Sequence, residues 1–223
     1  MHEKMKVTAV VFDFDNVILL GKDGTGSEEI KDAVWPRVFG ANWEQVKNEF
    51  PAILKKWSGG KGSRFEIVRD ALTHLWFRGD LEREAQKLCV DFNLLVQEGI
   101  VEMGVLPETR AFLEKLSKRF PLFINSATPT EAMNETLEKL DIRHFFREVY
   151  GQEGGKTESL RRAIKTVEET DPQNILFVGD AITDYEAAKA VGTRFVGVAT
   201  KRNQWKERPQ TFPVVTAVIE LQL

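Results

Sequence analysis

The sequence predicts an α/β protein, a parallel sheet buried on both faces and flanked by helices, with a helical domain inserted after the first strand. Three observations predict it. Four short apolar runs, Val7 to Phe12, Pro121 to Ile124, Ile175 to Val178 and Arg194 to Val198, lack polar alternation, as strands covered on both faces do. The runs are separated by amphipathic stretches of helical length, which suits crossovers between parallel strands. Residues 26–99 hold four of the five tryptophans and no clear strand. Structureless connections beyond ~15 residues are uncommon in compact domains, so that segment should fold as helices.

The first strand follows a short polar N-terminus and ends on Asp13, Phe14, Asp15, Asn16 and Val17. Leu20 to Gly26 and Gly99 to Leu106 are the two connectors of the insertion, and their glycines tolerate hinge movement. The expected division is therefore a core of residues 1–20 and 100–223 and a helical domain of residues 21–99. Within the insertion, Phe65, Ile67, Val68, Ala71, Leu72 and Leu75 keep helical spacing. Trp35, Trp43, Trp57 and Trp76 are expected to form the core of a small helical unit rather than a stacking platform. Beyond it, Glu108 to Arg119 carries an apolar stripe of Ala111, Phe112, Leu113 and Leu116. Thr128, Pro129 and Glu131 supply an N-cap, a first-turn proline and a capping-box acid, predicting a helix to about Leu140. Thr183 to Glu186 offers a second capping box, for a helix that stops at Gly192.

Composition narrows the classes of function. The chain has 223 residues, a formal net charge of -3 and scattered basic residues, so it lacks the electrostatic footprint of a nucleic-acid binder. Cys89 is the only cysteine, which excludes an internal disulfide and a cysteine metal cluster and fits a reducing, cytoplasmic setting. No apolar stretch approaches the ~18 residues of a membrane span, and the residues before the first strand do not resemble an export signal.

The chemistry is concentrated after the strands. Asp13 and Asp15 stand two apart on an extended segment, so their side chains point the same way. Two unit charges ~4 Å apart repel by about 4 kcal/mol at an effective dielectric near 20, and a fold that converges them must supply a cation or a shared proton. Metal-assisted or acid–base chemistry is one explanation; a strand ending in a solvated acidic loop is the other. Open parallel sheets bind ligands outside the carboxyl ends of their strands. The polar residues there are Asp13 and Asp15, then Asn125 and Ser126, then Asp180 and Asp184. Lys156 precedes a helix expected near Thr157, where the helix dipole favours an anion, and makes more sense facing carboxylates or a phosphate. Each residue alone has an ordinary role: Asp184 as a first-turn acid, Ser126 and Asp180 as turn residues, Lys156 as a surface cation. For all of them to be ordinary together would be a coincidence.

In these motifs the chain resembles the haloacid dehalogenase superfamily, in its Mg2+-dependent phosphatase branch. Four parts occur in order: Asp13 to Val17 after the first strand, Phe123 to Ser126 at the end of the second, Lys156 before a helix, and Gly179 to Asp184 after a later strand. The resemblance implies a Rossmann-like core and identifies the helical insertion with the cap of the first type. It implies that Asp13 attacks phosphorus to form an aspartyl-phosphate, and that Asp15 protonates the leaving oxygen and then deprotonates water. Ser126 would hold a phosphoryl oxygen near a helix N-terminus, with Ala127 beside it in the substrate site, and Lys156 would neutralise nucleophile and transferring group. Mg2+ would be held by Asp13, the backbone carbonyl of Asp15 and Asp180, with Asp184 orienting the metal site or Lys156.

Two stretches depart from the family pattern. Asn16 stands where glycine is common; its amide, beside the acid, would either narrow the space for a leaving group or hydrogen-bond to that group, or the residue would simply tolerate an unusual turn conformation. Leu20 to Gly26 is richer in glycine than usual. In the insertion, Ser58 to Arg64 looks like a substrate-specificity loop, in which Lys61 and Arg64 would read the leaving group and suit a second anionic moiety on it; a flexible basic turn with no ligand is the alternative. The expected partner is a small phosphorylated molecule. A phosphosugar mutase shares the constellation, a phosphonate hydrolase would need a lysine such as Lys55, Lys56 or Lys61, and a dehalogenase would have no use for Asp15. A non-catalytic binding module is the alternative from another class, and intact Asp13, Asp15, Lys156 and Asp180 argue against it.

Overall fold

A computed structural model of the chain describes residues 6–57 and 62–223. In chain order the elements are β1 (Ala9–Phe12), α1 (Ser27–Phe39), α2 (Trp43–Val46), α3 (Phe50–Trp57), α4 (Arg64–His74), α5 (Leu81–Met103) and α6 (Pro107–Ser117). They continue with β2 (Leu122–Asn125), α7 (Thr130–Lys139), β3 (Glu148–Tyr150), α8 (Gly155–Thr166), β4 (Ile175–Gly179), α9 (Ile182–Val191), β5 (Arg194–Val198) and β6 (Val214–Val215). The strands form one sheet in the order β3-β2-β1-β4-β5-β6, parallel at every pairing.

The apolar runs become the central strands because both faces are covered: every residue of β1, β2 and β4 is buried. β3 and β6 were not expected. They hold three and two residues at the two edges of the sheet, too short for a hydrophobic pattern to announce them. The chain runs outward from β1 through β2 to β3 and returns to the other side of β1 as β4. Sheets with such a reversal bind ligands outside the carboxyl ends of the strands that flank it, here β1 and β4.

Three helix starts differ from expectation. α7 begins at Thr130 rather than beside Thr128, and Pro129 precedes it with no side-chain cap. The orphan donors are met from a distance, since Glu153 accepts from the Thr130 amide at 3.1 Å and from its hydroxyl at 2.5 Å. α9 begins before Thr183, and it is Asp184 that accepts from the Ala181 amide at 3.1 Å. Lys156 lies inside the first turn of α8, not ahead of it. The buried stripe of α6 is Thr109, Leu113 and Leu116, with Ala111 exposed. Gly192 closes α9 with φ 88°, as a C-terminal glycine in the left-handed region does.

The chain divides into two compact units, Met1–Glu28 with Val101–Leu223, and Glu29–Ile100. Leu20 to Gly26 therefore stays with the sheet. It is a closed turn: Leu20 and Gly26 bridge antiparallel, the Gly21 amide donates to the Thr25 carbonyl at 2.7 Å, and Asp23 accepts from the Thr25 amide at 3.0 Å.

In the helical unit, Trp35 packs its ring 4.2 Å from that of Phe92 and 4.9 Å from that of Phe50, centroid to centroid. Trp43 joins this cluster through Phe39 and Phe50, and Trp57 donates its indole N–H to Asp70 at 3.0 Å. Trp76 does not belong to the core; it is 85% exposed. It follows the last turn of α4 with φ 52°, its amide bonded to the Thr73 carbonyl and that of Phe77 to the Leu72 carbonyl. This is a Schellman ending with tryptophan where glycine is usual, and the left-handed backbone turns the ring outward. Ser63 and Glu66 form the capping box of α4. Gly99 of α5 lies against Ile30 of α1, so closely that a Cβ at Gly99 would stand 2.7 Å from Ile30 Cγ2. No helix among the described residues is long and apolar enough to cross a membrane.

Candidate active site

The site is built where β1, β2 and β4 end. The Asp13 amide donates to the Val178 carbonyl at 2.9 Å, which extends the β1–β4 ladder by one bond and fixes the carboxylate at the sheet edge. The backbone then coils: the amides of Ile18 and Leu19 both donate to the Phe14 carbonyl at 3.1 Å. Asn16 sits in this coil with φ 56°, a region that asparagine enters more readily than most residues. β4 ends in Gly179, where a Cβ would lie 2.5 Å from Asp184 Oδ2. Only glycine lets that strand pass so close to the carboxylate.

Lys156 organises the acids. Its Nζ lies 2.9 Å from Asp13 Oδ1 and 2.9 Å from Asp184 Oδ1 and donates to the Asn125 carbonyl at 2.7 Å. Two ion pairs and one hydrogen bond thus converge on the ammonium, which can donate three protons. Burial works against its charge, but the carboxylates of Asp13 and Asp184 outweigh it and hold the lysine above its ordinary range. Asp13 accepts from the Phe14 amide at 2.7 Å, also on Oδ1. Burial pushes the Asp13 carboxyl well above the carboxylate range; Lys156 opposes this, while the charges of Asp184, Asp15 and Asp180 add to it. Asp180 is pushed up to about 7, first by burial and then by the charge of Asp184, with the Asn16 hydrogen bond acting the other way.

Asp13, Asp180 and Asp184 each present an oxygen, all within 4.8 Å of one another, so the trio could hold a metal ion. Asp15 contributes no atom to this trio, yet its charge acts on both Asp13 and Asp180. Asn16 donates from Nδ2 to Asp180 Oδ2 at 3.1 Å. The unusual backbone conformation is present, and the amide is engaged by Asp180, a partner the sequence did not suggest. Ser126 is buried, and its hydroxyl accepts from the Thr128 amide at 3.1 Å. Ala127 lies beside it in the turn leading to α7.

The residues named in the insertion lie in the helical unit. Arg64 stacks on Phe92, its guanidinium carbon 4.3 Å from the ring centroid, and donates to Asn93. Lys61 falls outside the described residues. Two asparagines with no assigned role from sequence also shape the site. Asn125, fully buried, donates from Nδ2 to the Lys156 carbonyl at 2.9 Å. Asn203 donates to the carbonyls of Asp180 at 2.9 Å and Val198 at 2.8 Å, tying the ends of β4 and β5 together. Neither has a local spacing that reports its partner; only an amide after a predicted strand marks Asn125.

Fold and site together define an α/β protein with an acid–lysine centre at the carboxyl edge of a parallel sheet. The chain belongs to the haloacid dehalogenase-like hydrolase family, whose model matches residues 7–192. No curated protein matches the sequence. Among solved structures, a protein from Thermotoga maritima provisionally assigned as a β-phosphoglucomutase is 19% identical, with 94% of each chain covered and a TM-score of 0.71. The HAD-family protein YfnB of Bacillus subtilis, solved bound to magnesium, is 16% identical over 96% of each chain with a TM-score of 0.65. A predicted phosphoglycolate phosphatase from Haemophilus somnus 129pt is 20% identical over 89% of this chain and 88% of its own, with a TM-score of 0.62. At these identities the likeness is one of fold.

Proposed function

We propose that the protein is a Mg2+-dependent phosphatase that hydrolyses a small phosphomonoester through an aspartyl-phosphate on Asp13. The observation that carries this is Lys156 bridging Asp13 and Asp184, 2.9 Å from each, in a buried site that also holds Asp180. The lysine fixes the Asp13 carboxylate by one oxygen and balances part of the charge that a phosphoryl group would bring.

The donor set fits a hard divalent ion. All three candidate side chains offer carboxylate oxygens, and the upward displacement of Asp13 and Asp180 marks a site that lacks positive charge. Asp13, Asp180 and the Asp15 carbonyl would hold Mg2+, which would supply Lewis-acid stabilisation of charge on the phosphoryl oxygens. Asp184, engaged by Lys156 and the Ala181 amide, holds the lysine in place.

The chain's own residues account for the proton and bond changes. A carboxylate oxygen of Asp13 bonds to phosphorus as the bond to the leaving oxygen breaks, and Asp15 gives that oxygen its proton. Asp15 then takes a proton from water, whose oxygen bonds to phosphorus while the Asp13–phosphorus bond breaks and phosphate leaves. Ser126 and Ala127, ahead of α7, would hold phosphoryl oxygens. The test is release of inorganic phosphate from p-nitrophenyl phosphate with Mg2+. Activity is expected to vanish in Asp13→Asn and to be lost with EDTA and restored by Mg2+. Activity that survives either treatment overturns the mechanism, and an isomerised phosphosugar instead of free phosphate would identify a mutase.

A further inference from the structure

Asp180 is the one carboxylate of the trio with no contact to Lys156 among the described residues. Its restraints come from two asparagines on separate loops: Asn16 donates to Oδ2 at 3.1 Å, and Asn203 donates to its backbone carbonyl at 2.9 Å. Asn16 is itself held in an unusual state. Its φ is 56°, and its Oδ1 lies where a Cβ on Gly26 would stand, 2.0 Å away. Gly26, the last residue of the closed turn, thus leaves the space in which the Asn16 amide lies.

We propose that Asn16 is a positioning residue for the metal site: its amide engages Oδ2 of Asp180 and leaves Oδ1 as the oxygen presented to the ion. The proposal rests on the metal-dependent reading above. It assigns the amide to the metal carboxylate rather than to the leaving group, and it gives Gly26 a role as the space-maker for that amide. Groups that orient metal ligands typically change affinity by about 10- to 100-fold when removed.

Two variants separate the amide from the backbone. Asn16→Gly keeps the left-handed conformation at no steric cost and removes the donor. Gly26→Ala keeps Asn16 but fills its space. Mn2+ and Mg2+ are titrated calorimetrically into the metal-free protein, with thermal unfolding in EDTA as a check on the fold. Both variants are expected to bind the ions at least about tenfold more weakly. At saturating metal, their KM for p-nitrophenyl phosphate should stay at the wild-type value. Wild-type ion affinity in Asn16→Gly overturns the positioning role, and so does a raised KM at saturating metal, which would place the amide on the substrate. If Asn16→Gly does not fold, Gly26→Ala decides by the same two readouts. Wild-type protein that binds neither ion overturns the metal reading itself, a failure distinguishable from that of Asn16 alone.

Discussion

Asn125 and Lys156 hold each other twice: the lysine ammonium donates to the Asn125 carbonyl at 2.7 Å, and the Asn125 amide donates to the Lys156 carbonyl at 2.9 Å. The end of β2 and the first turn of α8 are thereby locked at the point where the lysine side chain departs toward Asp13 and Asp184. Asn125→Ala should leave a buried carbonyl without its donor and cost about 1–3 kcal/mol in urea unfolding. It should also lower kcat more than it raises KM, because it loosens the lysine and not a substrate contact. Unchanged stability would show that solvent replaces the amide.

Lys156→Met tests the balance of charge. Removing one partner of a buried ion pair strands the other, and a loss of about 3–5 kcal/mol is expected at neutral pH along with the activity. The loss should shrink in mild acid, where Asp13, held well above the carboxylate range by its burial, takes up its proton. Denaturant melts at pH 5 and pH 8 check this; equal losses at both would mean that the carboxylates reach solvent.

The metal-free protein should be less stable as the pH rises. Asp180 titrates at about 7 in the fold and at 3.8 when unperturbed, so between those values the folded state binds more protons and stability falls with increasing pH. Mg2+ competes with those protons, so its affinity should climb with pH up to about 7, and proton release on binding should appear in calorimetry in two buffers. Melts with EDTA and with Mg2+ should diverge toward high pH. Parallel curves would contradict the burial of Asp180.

Trp76→Gly should stabilise the helical unit. The tryptophan is 85% exposed and has φ 52°, so glycine loses little contact and removes a left-handed penalty of about 1 kcal/mol. Urea melts followed by circular dichroism check the gain. A destabilised variant would reveal packing of the ring.

The four central strands were legible because burial on both faces leaves no polar alternation, as in Val10, Val11 and Phe12. Edge strands such as Val214–Val215 are too brief for any period, and Thr128 shows how a local capping signal loses to a distant acid, Glu153. In the site, residue types at strand ends marked Asp13 and Asp180, a cation at an expected helix start marked Lys156, and the family pattern marked their order. The work of Asn16, Asn125 and Asn203 was not legible, since an amide bonded across loops leaves no spacing in the chain.

The contact between Gly99 and Ile30 has a consequence for how the chain can be shortened. The helical unit thus begins and ends at neighbouring positions, Ile30 and Gly99. A short linker in its place is expected to leave the strands folded and to yield a miniature scaffold with the carboxylates still assembled.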